Sequence, residues 1–226
     1  MSVPRHARQH DFFYLAMGLT VALVATIGFS RTIGDGLIHR ASPPFLLYVH
    51  APLFAGWVLL FIAQAALVYV GRTRWHRRLG LVGLVIGAAM PPVTLGLRLA
   101  EGSGDGDGFL IVTLFDLLAF ATTFWLAVYW RRRPDRHRRL MLMATCGITS
   151  AAFARFPHWL MPPHSWYLGV DLLLLAAVIH DRIVERRVHP VYRYGLPMLA
   201  LGQAMVMAIY MSHMPAWLAI AHRILR

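Results

Sequence analysis

The stretch FLLYVHAPLFAGWVLLFIAQAALVYVG, residues 45–71, decides the class of fold. It contains no aspartate, glutamate, lysine or arginine. It is longer than the roughly 20 residues that an α-helix needs to cross the hydrocarbon core of a bilayer. A segment alone in lipid must satisfy its own backbone hydrogen bonds, and a helix does this. Residues 45–71 are therefore predicted to form a transmembrane helix.

The rest of the chain has the same character. Of 226 residues, 58% are hydrophobic and 14% are charged, which leaves too little polar surface for a soluble domain of this size. We predict an all-α fold, a polytopic membrane helical bundle of about seven transmembrane helices in a single integral membrane domain, residues 1–226. The bundle covers residues 12–213, between an N-terminal segment, 1–11, and a short interfacial C-terminal segment, 214–226. The predicted spans are 12–30, 45–71, 79–97, 109–130, 140–158, 165–180 and 194–213.

The arginines predict the orientation of the chain. There is no lysine, so all 22 basic residues are arginines, and alternate connections are rich and poor in them. The rich connections hold Arg5, Arg8, Arg72, Arg74, Arg77, Arg78, Arg131, Arg132, Arg133, Arg136, Arg138, Arg139, Arg182, Arg186, Arg187 and Arg193. Because cytoplasmic loops carry an excess of basic residues, the N-terminus is predicted to be cytoplasmic. We expect a multi-pass protein of the bacterial inner membrane.

The sequence lacks features that several functions require. The net charge of +12 lies beside the spans rather than in a soluble module, so we expect anionic lipid headgroups as partners and no nucleic acid. A retinal Schiff base requires a lysine, which is missing. The single cysteine, Cys146, gives no disulfide framework and is expected to be a small buried hydrophobe.

A short pattern occurs twice. LVYVGRTRWHRRLG ends the second span and LAVYWRRRPDRHRRLM ends the fourth, so VY, a basic turn and HRRL recur. His76 and His137 therefore stand at the starts of the third and fifth spans. A helix N-terminus disfavours a protonated imidazole, which leaves a neutral ring able to bind a metal. The other interpretation is that both rings contact headgroups or cap backbone groups.

The motifs HAPLFAGWVLLFIAQ, HRRLG, FDLLAF and RRPDRHRRLM resemble those of a family of bacterial multi-span membrane proteins of unknown function, over most of the chain. The order of the histidines is more distantly similar to that of transmembrane b-type cytochromes. That resemblance implies electron transfer through haem b, with His76 and His137 as iron ligands and a quinone or another small redox molecule as partner. Span four has no histidine to pair with His50, so the resemblance does not extend to a second haem. Arg77 and Arg138, with the arginine after each, would hold the haem propionates.

A second cluster is predicted in the half of the bundle that faces outward. His50, Asp116, Arg155 and Asp171 lie at comparable depth in four different spans. Because ionisable groups are costly in lipid, they are expected to turn inward, with Asp116 or Asp171 paired to Arg155.

Gln64 follows His50 at twice a heptad spacing and is predicted to share its helix face and the same polar pocket. This pocket suggests an alternative function, a transporter or a small-ligand-binding membrane protein. Packing alone is a third interpretation, in which the chain is a non-catalytic assembly protein.

Overall fold

The computed structural model describes residues 5–38, 44–104 and 106–226, with side chains for 11–30, 44–104 and 106–226. The predicted N-terminal segment falls largely outside the described side chains. No strand occurs in the described ranges. The helices are α1 Arg5–Ile38, α2 Phe45–Tyr69, α3 Thr73–Ala100, α4 Leu110–Tyr129, α5 Pro134–Gly147, α6 Ser150–Phe153, α7 Trp166–Val184, α8 Pro190–Met211 and α9 Pro215–Leu225, with a 3₁₀ turn at Asp107–Phe109.

Among the described residues, five helices are long and apolar enough to cross a membrane. They are α2, α3 and α8, the Asp11–Ser30 part of α1, and α4 with its preceding 3₁₀ turn, Asp107–Tyr129. Leu59, Leu81 and Leu118 are about two-thirds exposed on the outer faces of α2, α3 and α4. Large exposed apolar surfaces of this kind suit a lipid environment rather than water. The predicted all-helical fold is confirmed for the described residues, and the length and composition of its apolar helices are compatible with a membrane protein.

The fifth predicted span is a broken helix. The α5 helix ends at Gly147, and the short α6 follows after one turn. Glycine is a poor helix former, and the Thr149 hydroxyl donates to the Cys146 carbonyl oxygen (2.6 Å), a local bond that competes with the helix ladder. Residues from Leu140 to Cys146 are almost all buried, so α5 is an interior helix. Cys146 itself is buried, as predicted.

Consecutive helices pack side by side from α1 to α5, and α8 packs on α4. Gly28 of α1 allows the closest approach to α6, because a Cβ atom there would lie 2.4 Å from the Ala152 carbonyl oxygen. Gly87 of α3 makes room in the same way for the rings of Phe124 and Trp57. Small residues at such crossings are typical of helix packing in membranes.

The loops divide the bundle into two ends. We call the end with the α2–α3, α4–α5 and α7–α8 connections the arginine-rich end, and the other the arginine-poor end. The C-terminal segment is a helix, α9, which packs at the arginine-poor end. Its Trp217 Nε1 donates to the Gly108 carbonyl oxygen (3.1 Å), and its Ala221 and Leu225 bury Leu110.

Candidate functional site

Two histidine rings face each other at the arginine-rich end. The ring centroids of His76 and His137 are 6.3 Å apart and the ring planes are nearly perpendicular, at 85°. His137 Nδ1 donates to the Ala127 carbonyl oxygen of α4 (2.9 Å), which leaves its Nε2 atom available. His76 Nδ1 is buried and has no hydrogen-bond partner among the described residues. The structure thus brings together the two predicted iron ligands.

The repeated sequence explains this meeting. His76 is the fourth residue of α3 and His137 is the fourth residue of α5, each after a tight turn from the preceding helix. Pro134, at the first position of α5, fixes where that helix begins. Because α3 and α5 both pack on α4, the equivalent first turns of the two hairpins lie beside each other.

The two arginines predicted to accompany the histidines differ. Arg77 is exposed. Arg138 instead turns toward α7 and α1, where Nη2 donates to Glu185 Oε1 (3.1 Å) and the guanidinium lies 5.6 Å from the ring centre of Tyr14. The charge of Arg138 is thus paired with a carboxylate, and its role in holding a haem propionate stays a prediction. Arg77 keeps its charge at the surface beside His76.

A buried ionic network, which the sequence reasoning missed, lies next to the histidine pair. Arg139 is completely buried. Its Nε and Nη2 atoms donate to the two Asp181 carboxylate oxygens (2.8 and 2.7 Å), Nη2 also donates to Glu185 Oε1 (2.6 Å), and Nη1 donates to the Asp135 carbonyl oxygen (2.7 Å). The sequence feature that could have predicted this network is HDRIVERR, residues 180–187, in which Asp181 and Glu185 lie one turn apart on a helix.

His189 extends the network to α8. Its Nδ1 accepts the Val191 backbone N–H (3.2 Å) as the helix N-cap, so Nε2 carries the proton and donates to Asp135 Oδ2 (3.3 Å). Burial and the nearby charge of Arg139 lower the pKa of the His189 ring, despite the opposing effect of Asp135. The neutral ring therefore satisfies both of its partners.

Two tyrosines border the same network. Tyr14 of α1 and Tyr192 of α8 direct their phenol groups toward each other. Neither hydroxyl forms a hydrogen bond of good geometry within the described residues. The network with its two tyrosines thus connects α1, α5, α7 and α8 at the arginine-rich end.

The predicted outward polar layer is divided among separate partners. Asp116 Oδ2 accepts the Ser150 hydroxyl (2.7 Å) and Asp116 Oδ1 accepts the Tyr167 hydroxyl (2.8 Å). Asp171 interacts with Gln203 of α8. The predicted pair from Asp116 or Asp171 to Arg155 is therefore corrected, because two hydroxyls bind Asp116 and the neutral amide of Gln203 lies beside Asp171.

His50 and Arg155 have other neighbours. The Thr94 hydroxyl donates to the Met90 carbonyl oxygen (2.8 Å), and His50 Nδ1 lies 3.3 Å from the oxygen of that hydroxyl, to which it donates. The Arg155 guanidinium lies 4.6 Å from the ring centre of Phe29, and its charge acts on His50. Arg155 is thus close enough for its charge to act on His50, and both side chains lie at a partly exposed edge.

Gln64 belongs to the other end of the bundle. Its side-chain amide nitrogen lies 3.5 Å from where a Cβ atom on Gly80 would be, and its backbone lies beside the His76 ring. Its Oε1 atom is buried without a hydrogen-bond partner in the described ranges. Gln64 shares a face of α2 with His50, but the two residues lie about 21 Å apart along the helix, because each residue adds about 1.5 Å. Gln64 is therefore a neighbour of the histidine pair rather than of His50.

No family model, curated protein or solved structure matches this chain. The proposals about function therefore rest on its own side chains.

Proposed function

We propose that this chain is an integral membrane protein that holds one haem b between His76 and His137 and transfers electrons. The observation that carries this proposal is the facing pair of rings, 6.3 Å apart, on the first turns of two neighbouring helices. Bonds of about 2.0 Å from a metal to one nitrogen of each ring would span a separation of this size. The Ala127 carbonyl oxygen orients His137 as outer-shell partners orient metal-ligating histidines.

The number of donors favours haem over a bare metal ion. Among the described residues, no group of three or more histidine, cysteine, aspartate or glutamate side chains is placed to hold a metal ion. A zinc site needs three or four protein ligands, whereas haem iron needs only axial ligands from the protein. Haem supplies one-electron chemistry when bound. His76 and His137 would hold it, and the exposed Arg77 offers a charge for a propionate.

An absorption spectrum of the full-length protein, purified from haem-replete cells, tests this proposal. We expect a Soret band, with reduced-minus-oxidised bands typical of iron held by two histidines. His76→Ala and His137→Ala should each lose most of the Soret absorbance per protein. His50→Ala, which changes a histidine at the opposite end of the bundle, should keep it. Far-UV circular dichroism checks that each variant is helical. A wild-type protein without a Soret band after haem addition, or histidine variants with an unchanged band, would overturn the proposal.

We also propose seven crossings, with the arginine-rich end and the N-terminus in the cytoplasm and the chain in the bacterial inner membrane. The contacts of α5 and α7 support this topology. Both helices meet the network of Arg139 and Asp181 at the arginine-rich end. The chain between them reaches Phe109 and Tyr210 at the arginine-poor end. These contacts favour two crossings of the bundle by residues 134–184, although α5 is short. The excess of arginine at one end supports the orientation.

Single cysteines test the topology. The native Cys146 is buried and gives little background. A membrane-impermeant maleimide added to spheroplasts should label Trp159→Cys, at the arginine-poor end. It should label Arg131→Cys, at the arginine-rich end, only after permeabilisation. The reverse pattern would contradict the orientation, and equal labelling of both positions in intact spheroplasts would contradict the crossing.

A further inference from the structure

The connection from α6 to α7, at the arginine-poor end, contains metal-binding side chains at a regular spacing. Residues 158–164 read HWLMPPH, so an imidazole, a thioether and a second imidazole occur at every third position. These three side chains, His158, Met161 and His164, all line one cavity of about 230 Å³. None of them takes part in the proposed haem site. The connection therefore offers a second set of metal-ligating groups, at the end of the bundle opposite the histidine pair.

A single helical turn aligns the first two of these groups. The backbone N–H groups of Leu160 and Met161 both donate to the Pro157 carbonyl oxygen (2.9 and 3.0 Å), which closes one turn of helix. Residues three apart on a helical turn lie on the same side. His158 and Met161 therefore face the cavity from the same side of this turn.

A second turn brings His164 to the cavity. The Ser165 backbone N–H donates to the Pro162 carbonyl oxygen (3.3 Å), which closes a β-turn with Pro163 and His164 at its centre. The φ angle of His164 is +64°, a left-handed conformation that such a turn usually gives to glycine or asparagine. This conformation costs free energy in other residues and persists where the surroundings hold it. Here the surroundings hold the imidazole at the cavity, with its centroid 5.7 Å from that of the Trp166 ring.

The composition of the cavity favours a soft ion with a single charge. No carboxylate or guanidinium lines it in the part of the chain that the structure describes. Mg²⁺ and Ca²⁺ need oxygen ligands, and Zn²⁺ is held by thiolate, imidazole or carboxylate groups. Thioether sulfur selects Cu(I), and imidazole also suits copper. Because no carboxylate balances the charge of the ion, a divalent ion would be costlier to hold beside the aromatic lining than a monovalent one.

The exposure of the three side chains provides both access and a fixed donor. His158 and His164 are exposed, whereas Met161 is partly buried and packs against the hydrophobic core. Exposed side chains change rotamer within picoseconds to nanoseconds, so the His158 ring can turn toward an ion without a change of fold. An ion can therefore enter from outside the bundle and meet a thioether that the fold holds in place.

We infer that His158, Met161 and His164 bind one Cu(I) ion. Two imidazole nitrogens and one thioether sulfur supply three neutral ligands. The site is independent of the histidine pair, and its occupation requires neither haem nor electron transfer. In the orientation proposed above it faces away from the cytoplasm, so its copper would come from the periplasmic side.

Anaerobic titration of the full-length protein in detergent, with Cu(I) supplied as its coloured bicinchoninate complex, tests the inference. We expect the protein to remove one Cu(I) per chain from the indicator. Met161→Leu removes the sulfur but keeps a side chain of similar size. It should weaken the affinity at least about tenfold, since even changes beside the ligands of a metal site cost about 10–100-fold. His164→Asn tolerates the left-handed backbone and should weaken the affinity by a similar factor.

Matched controls separate this site from other methionines and histidines. Met198 is exposed on α8 and does not line the cavity, so Met198→Leu should bind Cu(I) as tightly as the wild type. His76→Ala, which changes the histidine pair, should also keep the affinity. An excess of Zn(II) should leave Cu(I) bound. Far-UV circular dichroism checks that each variant is helical.

X-ray absorption at the copper edge gives a readout of the ligands themselves. We expect a sulfur neighbour of Cu(I) in the wild type and none in Met161→Leu. Absence of Cu(I) uptake, equal affinities of the two methionine variants, displacement by Zn(II), or a sulfur neighbour that persists in Met161→Leu would overturn the inference. Loss of binding in His76→Ala with full binding in His164→Asn would also overturn it, because the copper would then belong to the histidine pair.

Discussion

Replacement of Arg139 tests how the bundle is held together. Arg139→Met removes a guanidinium that is completely buried and keeps a long apolar side chain in its place. Asp181, which is 1% exposed, then loses both of its strong hydrogen bonds, and its carboxylate remains in the interior. Breaking a buried pair by removing one partner costs about 3–5 kcal/mol, because the other charge is left uncompensated. We expect a loss of this size in the free energy of unfolding.

The double variant Arg139→Met with Asp181→Leu shows whether the charge or the packing matters. Arg138 and Glu185 remain as a balanced pair in that protein. Replacing both partners of a buried pair with apolar groups is often close to neutral. The double variant should therefore be more stable than Arg139→Met alone, and a double-mutant cycle should give a coupling free energy of about 2–3 kcal/mol between the two positions.

The measurement is unfolding in mixed micelles with increasing denaturing detergent, followed by far-UV circular dichroism. Arg136→Met is the control, since Arg136 is on the same helix but exposed, against the ring of Trp130. Exposed charges contribute about 0–1 kcal/mol, so this variant should resemble the wild type. A cost below about 1 kcal/mol for Arg139→Met, or a double variant as unstable as the sum of the two single changes, would refute the reasoning.

Five further variants test three separate features by the same unfolding measurement. Burial lowers the pKa of His189, so its protonation favours the unfolded state. The contribution of His189 to stability is therefore complete above its pKa in the unfolded chain, about 6.5, and is lost as the pH drops through its pKa in the folded protein. His189→Asn keeps an N-cap acceptor and should flatten this pH dependence. Gly28→Ala should cost about 1–3 kcal/mol, because the new Cβ meets the backbone of Ala152, whereas Gly56→Ala, with open space around it, should stabilise by about 0.5–1 kcal/mol. Asp116→Leu should cost about 1–3 kcal/mol by leaving two hydroxyls without their acceptor, and Asp116→Asn should cost less.

The sequence predicted the helices well wherever a span was apolar throughout. Length and the scarcity of charge were enough for α2, which has no charged residue, and for α4, which has only Asp116, because lipid imposes a strict requirement on backbone hydrogen bonds. They were insufficient for the fifth span, where α5 ends at Gly147 inside the predicted segment 140–158. From Arg139 to Cys146 α5 is almost entirely buried against protein, so this part escapes the length that the bilayer imposes on the other helices. Hydropathy does not distinguish these two environments.

Side-chain partners were harder to predict than helices. The repeated HRRL pattern indicated that His76 and His137 are equivalent, and the structure places their rings next to each other, 6.3 Å apart and nearly perpendicular. Depth alone suggested that Asp116 would meet Arg155, but depth does not fix the direction in which a side chain points. The hydroxyls of Ser150 and Tyr167 occupy that direction instead. Hydroxyl groups carry no charge signal in a sequence, so this pairing had no visible marker.

The first turn of α5 links the ionic network to the proposed haem site. Successive helical residues point in different directions, so His137 faces α3 and α4 while Arg139 faces α7. Arg139 touches neither histidine, but it fixes the rotation of α5 and thereby the position of the His137 ring. Arg139→Met should therefore lower the Soret absorbance per protein even at a denaturant concentration where its circular dichroism remains that of a folded bundle, and Arg136→Met should not. A full Soret band in folded Arg139→Met would show that the hydrogen bond to Ala127 positions His137 without help from the network.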